Sequence, residues 1–311
     1  MDLLVAVVGP TAVGKTELAV RLAARFNGEI IGADSRQVYR GMDIGTAKPS
    51  PEELARVPHH LIDIIDPDEE FSLGLFLRRA RSVTKDILAR GRLPFLVGGT
   101  GLYVRAMLEG WDVPAISPDP EFRYNRERQA RETGPDDLYA ELSRVDPAAA
   151  AHIDPRNVRR VIRALEVHAR TGQAFSDLGR RRPPAFASYT IGLTASRTEL
   201  YRRADERVDR MVAGGFMDEV RRLLERGYGR SMPSMSGIGY RQIAEVIGGE
   251  TALEEAVRKI KTATHRFIRH QYGWFRLDDA TIHWYDIENR ASFSDIERDL
   301  SIHLDELAKQ E

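Results

Sequence analysis

The 311-residue chain contains no cysteine. That excludes disulfides, thiolate zinc sites and cysteine nucleophiles, and it fits a cytoplasmic location. Long apolar runs are missing too: the longest, Leu3 to Val8, is far below the roughly 20 residues that span a bilayer, so no membrane partner is expected. Asp2 follows Met1 directly, with no basic segment ahead of the run, which argues against a secretory signal. Net charge is nearly absent, −1 from 46 basic and 47 acidic residues, so the total gives no hint of a polyanionic partner. No internal repeat or low-complexity tract occurs. Apolar surface is plentiful, with 42% hydrophobic against 30% charged residues. The length suggests two domains, or one domain with a sizeable insertion.

Charge is unevenly placed. From Arg156 to Arg182 eight arginines face two acids, a local balance of +6. From Ala256 to Leu277 there are six basic residues and no acid, and the tail from Asp286 onward carries −5. Such stretches are either solvated helix faces or an anion-binding surface hidden inside a neutral protein.

The N-terminal third alternates strands and helices. LLVAVVG, EIIGADS, HHLIDIID and LPFLVGGTG read as short buried strands, and Lys15–Arg25 and Leu73–Arg90 have helical spacing. The alternation predicts an α/β fold with a parallel, P-loop-type sheet flanked by helices. Ligands bind such sheets beyond the carboxyl ends of the strands, which puts Gly9–Thr16, Asp34–Gln37 and Gly98–Gly101 on one rim. Proline-rich hinges at VPAISPDP and RRRPPAF bound a helical, arginine-rich segment. The expected organisation is a core of residues 1–112 and 188–311 with C-terminal helices, and an all-helical insertion over 113–187. YTIGLT and TIHWYD are the later strand candidates.

Residues 9–16, GPTAVGKT, match G-x-x-x-x-G-K-[ST] between a predicted strand and helix. Gly9 and Gly14, with Pro10, Thr11, Ala12 and Val13 between them, let the backbone turn its N–H groups toward a phosphate. Lys15 supplies a charge and Thr16 a hydroxyl for Mg²⁺. The motif indicates polyphosphate binding without specifying ATP hydrolysis. The strand PFLV runs into Gly98-Gly99-Thr100-Gly101 and lacks a terminal acid of the Walker-B type. The rim's acid is Asp34, placed either to ligate Mg²⁺ through water or to accept a proton from a nucleophile. An Asx-type turn with Ser35 is the alternative.

Helical projection puts Arg156, Arg159, Arg160 and Arg163 on one face, opposite Val158, Val161, Ile162 and Leu165. Four arginines pointing outward together favour an anionic partner. A second basic helix is expected to open with a capping box from Thr251 to Glu254. It carries Arg258, His265, Arg269 and Arg276 on one face, with Ile260, Phe267 and Trp274 as core residues on the other.

With these stretches, the chain resembles the tRNA dimethylallyltransferase (tRNA isopentenyltransferase) family over nearly its whole length. The likeness rests on GPTAVGKTELA from Gly9, ADSRQVYRGMDIGTAKP from Ala33, HHLIDIIDP from His59 and FLVGGTGLYVRAM from Phe95. It continues through RRVIRALEV from Arg159, GFMDEV from Gly215, GIGYRQ from Gly237 and WFR from Trp274. His265 and His270 stand where the family often has arginine or another basic residue, and Tyr272-Gly273 replace a more usual Leu-Thr.

The resemblance implies transfer of a dimethylallyl group from dimethylallyl diphosphate to N6 of adenine 37 in tRNA, with Mg²⁺ as cofactor. It implies Asp34 as general base, Thr100 beside the reacting amine, and Arg207, or Arg203 one turn earlier, on the diphosphate. Ser35 and Gln37 would read the target base, with Asp34, Arg36 and Thr100 among the tRNA-binding residues. Arg123 and the run Arg159, Arg160, Val161, Ile162 and Arg163 would hold the anticodon stem-loop. A monomer is expected. The rival readings are a small-metabolite P-loop kinase, an isopentenyltransferase acting on free AMP or ATP, and a non-catalytic nucleotide-dependent RNA-binding protein.

Overall fold

A computed structural model describes residues 2–113, 118–179, 181–289 and 291–309. Half of the VPAISPDP hinge (114–117), together with Arg180, lies outside the described residues. The chain divides into two compact units. One comprises Met1–Ser72, Phe76–Leu108 and Pro184–Glu311, and the other Leu73–Leu75 with Glu109–Pro183.

The larger unit is built on a six-stranded sheet in the order β3-β2-β4-β1-β5-β6. The strands are β1 (Leu3–Val8), β2 (Gly28–Gly32), β3 (His59–His60), β4 (Leu93–Val97), β5 (Ala187–Thr194) and β6 (Ile282–Asp286). Every pairing is parallel. Parallel sheets are covered on both faces, so their strands read as continuous apolar runs rather than alternating ones; β1 is buried along its whole length. Helices α1 (Lys15–Arg25), α2 (Pro51–Arg56), α3 (Leu73–Ala89) and α4 (Gly101–Leu108) intervene between the first strands. The β1–α1 and β4–α4 junctions bring the phosphate-loop motif and the GGTG turn to the carboxyl rim of the sheet.

The third strand is far shorter than HHLIDIID suggested. Leu61 and Asp63 take left-handed backbone conformations, with φ of 64° and 54°, which end the pleat after His60. The rest of the segment turns to pair Ile65 with Tyr39 in an isolated bridge.

The smaller unit contains α5 (Pro120–Glu132), α6 (Asp136–Val145), α7 (Pro147–Ala150) and α8 (Val158–Thr171). Asn157 caps α8 by accepting from the Arg160 amide, and Gly172 ends it at a φ of 68°. Its core gathers Leu138, Leu142, Ile153, Val161, Ile162 and Leu165. After β5, the larger unit adds α9 (Arg197–Ala213), α10 (Phe216–Glu225), α11 (Tyr240–Ile247), α12 (Leu253–Trp274) and α13 (Ser292–Ala308).

The capping box expected at Thr251 does not form. Helix α12 begins one residue late, with Ala252 at its N-cap and no side-chain cap, which puts Glu254 too near the helix start to reach back. No helix among the described residues is long and apolar enough to cross a membrane.

Candidate active site

The rim of the sheet holds a cleft of about 290 Å³ whose walls include Gly14, Lys15, Thr16, Asp34, Gln37 and Arg207. Gly9 opens the loop at a φ of 137°, and a β-carbon there would come within 2.4 Å of the Leu193 carbonyl oxygen. Only glycine lets β1 turn so close beside β5. Beyond it, the amides of Ala12, Val13, Gly14, Lys15 and Thr16 have no acceptor among the described residues. Consecutive unpaired N–H groups running into a helix N-terminus form an anion cradle.

The loop does not act uniformly. Pro10 has no N–H to offer. The Thr11 amide is taken by Gln271 Oε1 at 2.8 Å, and the Thr11 hydroxyl accepts from Arg207. Val13 is buried in the core. Sequence reasoning missed Gln271, whose Nε2 also donates to the Gly99 carbonyl at 3.0 Å. It joins the phosphate loop to the GGTG turn from 172 residues away in sequence, a link no local pattern signals.

Two cations face the cradle. Burial lowers Lys15 to about 7; the Arg207 charge adds to the effect and Asp34 opposes it. Its ammonium donates to the Gly9 and Pro10 carbonyls at 3.0 and 2.8 Å. Arg207 is also lowered, by burial first, and its buried Nε has no hydrogen-bond partner among the described residues. Two desolvated cations and an orphaned donor fit a polyanion, which would satisfy all three. Arg203 instead pairs with Glu199 on its own helix at 2.6 Å.

Asp34 forms the Asx-type turn, but with one oxygen only. Its Oδ1 accepts from the Arg36 amide at 2.8 Å and the Gln37 amide at 3.4 Å. Oδ2 has no partner among the described residues. The Thr100 hydroxyl accepts from the Ser35 amide at 3.0 Å and lies 3.4 Å from the Ser35 hydroxyl, so the β2 and β4 termini are tied together. The Arg36 guanidinium donates to Pro233 O at 2.6 Å and Ser236 Oγ at 3.1 Å. Gln37 lines the cleft and donates both amide protons to the Thr46 and Ala47 carbonyls.

No group of three or more His, Asp or Glu side chains with metal-binding potential occurs among the described residues. A magnesium site here would use the Thr16 hydroxyl, the open Asp34 oxygen through water, and the ligand's own phosphate oxygens, as Mg²⁺ sites commonly do.

The four-arginine face of α8 is smaller than the helical projection implied. Arg156 pairs with Asp154 at 2.8 Å. Arg163 and Arg123 both bind the buried Glu166, at 2.5 and 2.8 Å, because an unpaired carboxylate cannot be buried cheaply. Val161 and Ile162 are 1% and 2% exposed, and their side chains belong to the core of the smaller unit. Arg159 and Arg160 are exposed and have no ionic partner among the described residues. Phe267 also departs from expectation. It is 38% exposed and lines the cleft rather than the core, because the buried stripe of α12 runs through Ile260, Thr264, Ile268 and Gln271.

Sheet order, phosphate loop and buried cation pair together define a P-loop-type α/β protein. The family model described as IPP transferase matches residues 37–278, and that described as isopentenyl transferase matches residues 2–64. The tRNA dimethylallyltransferase of Roseiflexus sp. (strain RS-1) is 57% identical over 273 residues, covering 88% of this chain and 90% of that protein. That of Thermomicrobium roseum is 54% identical, covering 91% and 86%. The chain belongs to the tRNA dimethylallyltransferase family. Among solved structures, the tRNA isopentenylpyrophosphate transferase of Bacillus halodurans matches with a TM-score of 0.73 and 43% identity, over 100% of this chain and 99% of its own. A eukaryotic dimethylallyltransferase acting on tRNA matches with a TM-score of 0.82 at 26% identity, over 99% of this chain and 80% of its own.

Proposed function

We propose that this prenyltransferase moves the dimethylallyl group of dimethylallyl diphosphate to N6 of adenine 37 in tRNA. The observation that carries the proposal is the pairing, in one cleft, of an anion cradle with an uncommitted carboxylate oxygen at Asp34. An exocyclic adenine amine is a weak nucleophile because its lone pair is delocalised into the ring. Asp34 Oδ2 accepts its proton as the N6–C1 bond forms, a contribution of about 10²–10⁴-fold.

The C1–O bond breaks in the same reaction, and its electron pair leaves with the diphosphate. The Ala12–Thr16 amides, Lys15 and Arg207 hold that growing charge. Magnesium, when bound at Thr16, supplies further charge neutralisation. Thr100 and Ser35 keep the Asp34 turn in place beside the amine.

The base has to leave the anticodon-loop stack to reach the cleft, which costs about a few kcal/mol. Phe267, exposed at the cleft wall, offers an aromatic face for the extruded base. Arg159 and Arg160 hold the RNA by its backbone. The uncommitted Asp34 oxygen and the solvent-facing arginines support this reading over a small-metabolite kinase. All of these groups come from a single chain, which acts as a monomer.

The test is incubation with an unmodified anticodon stem-loop, Mg²⁺ and dimethylallyl diphosphate, followed by nucleoside mass analysis. Adenosine heavier by one dimethylallyl group is the expected product. Unchanged RNA would reject the proposal.

A further inference from the structure

The segment between Tyr39 and Pro49 contains no helix or strand. Lys48 ties it from within, donating to the Tyr39 carbonyl and to Asp43, both at 2.6 Å, and one buried carboxylate holds it from outside. Glu219 on α10 is 2% exposed. It accepts from three successive backbone amides, Asp43 at 2.9 Å, Ile44 at 2.7 Å and Gly45 at 3.2 Å. A fourth donor is the Tyr240 hydroxyl of α11 at 2.7 Å. Burial and the neighbouring Glu219 charge raise the Tyr240 phenol, so it stays protonated and keeps donating. No cation pairs with Glu219 among the described residues, so its negative charge rests on neutral donors alone.

The loop is pressed against the same two helices. A β-carbon on Gly45 would lie 2.3 Å from the Phe216 ring and 2.7 Å from that of Tyr240. Just beyond, Ala47 takes a φ of 52°, and the Thr46 and Ala47 carbonyls accept from Gln37 Nε2 at 3.2 and 3.0 Å. Two carbonyl acceptors settle which end of that amide carries nitrogen. Gln37 Oε1 is the end left over, in a cleft it shares with Asp34. An acceptor there is complementary to a purine that carries an amino group at C6. A purine with a carbonyl at C6 would face it acceptor to acceptor.

We propose that Glu219, seated on Tyr240, is a positioning residue for base selection. It sets the 43–47 loop, the loop carbonyls orient Gln37, and Gln37 presents an acceptor to the 6-amino group of the target base. The inference rests on the prenyl-transfer reading above.

The experiment is a double-mutant cycle between Glu219→Gln and Gln37→Ala, read as prenylation of the anticodon stem-loop with pyrophosphate affinity measured alongside. Glu219→Gln places an amide nitrogen against backbone N–H donors and loosens the loop. It is expected to raise KM for the stem-loop about tenfold while leaving pyrophosphate affinity within about twofold. In the Gln37→Ala background the same change is expected to add less than about twofold, because its target is already gone.

Multiplicative losses, or a parallel fall in pyrophosphate affinity, would overturn the proposal by making Glu219 a general support of the fold. If Glu219→Gln does not fold, Tyr240→Phe, which removes one of the four donors, enters the same cycle with the same criterion. Absence of product from the wild-type protein would reject the prenyl-transfer reading itself, an outcome distinct from product formed with multiplicative losses.

Discussion

Lys15 and Asp34 carry opposite charges in one cleft, and each has a separable job. In the ligand-free cleft burial holds Lys15 at about 7, so above that pH the free protein has given up a proton that its complex with an anion retains. Anion binding therefore takes up a proton above pH 7, and affinity falls as pH rises. Calorimetric titration with pyrophosphate is expected to show wild-type Kd rising relative to Lys15→Arg by up to about tenfold per pH unit above 7. Parallel profiles would mean that Lys15 keeps its proton in the empty cleft. For Asp34, asparagine preserves the Oδ1 acceptor of the turn and removes the base. Asp34→Asn is expected to cut kcat at least about 100-fold while stem-loop affinity stays within about tenfold. Near-normal turnover would remove Asp34 from the proton transfer.

At the scale of elements, α8 separates residues that a helical projection groups together. Arg160 is exposed and has no ionic partner among the described residues, whereas Arg123 reaches from α5 to the buried Glu166. Arg160→Ala is expected to weaken stem-loop binding and flatten its salt dependence by a slope of about 1, with Tm unchanged. Arg123→Ala is expected to lower Tm, because the buried Glu166 would keep only the Arg163 cation and the Asp119 amide. A salt slope unaffected by Arg160→Ala would return that face to an ordinary solvated surface. The projection could not make this distinction, because it locates faces and not partners. Glu166 lies on the same helix as Arg163 but 43 residues from Arg123. Phe267 follows the same logic: an aromatic on a helix reads as core until the cleft beside it is known.

For the whole molecule, what is written locally was legible and what depends on distant partners was not. Strand β1, the loop from Gly9 and helix α1 follow one another within 25 residues, and apolar run, glycine positions and helical spacing each mark their place. The parallel sheet follows from that alternation. The truncation of β3 does not, since a left-handed Leu61 leaves no signature in residue type. Nor do Gln271 and Glu219, whose loop partners lie 172 to 260 residues and 174 to 176 residues away. Such contacts join the rim of the sheet to α10 and α12, and they determine which loop groups remain available to a ligand.

The central claim is that the cradle beginning at Gly9 holds a departing diphosphate while an RNA amine captures its carbon partner. Single-turnover quench of the wild-type protein, with pyrophosphate and prenylated stem-loop quantified in the same samples, tests it most directly. The two products are predicted to appear together in equal amounts, with no phosphate released when ATP replaces the prenyl donor. Phosphate released from ATP, with the RNA unaltered in both reactions, would contradict it.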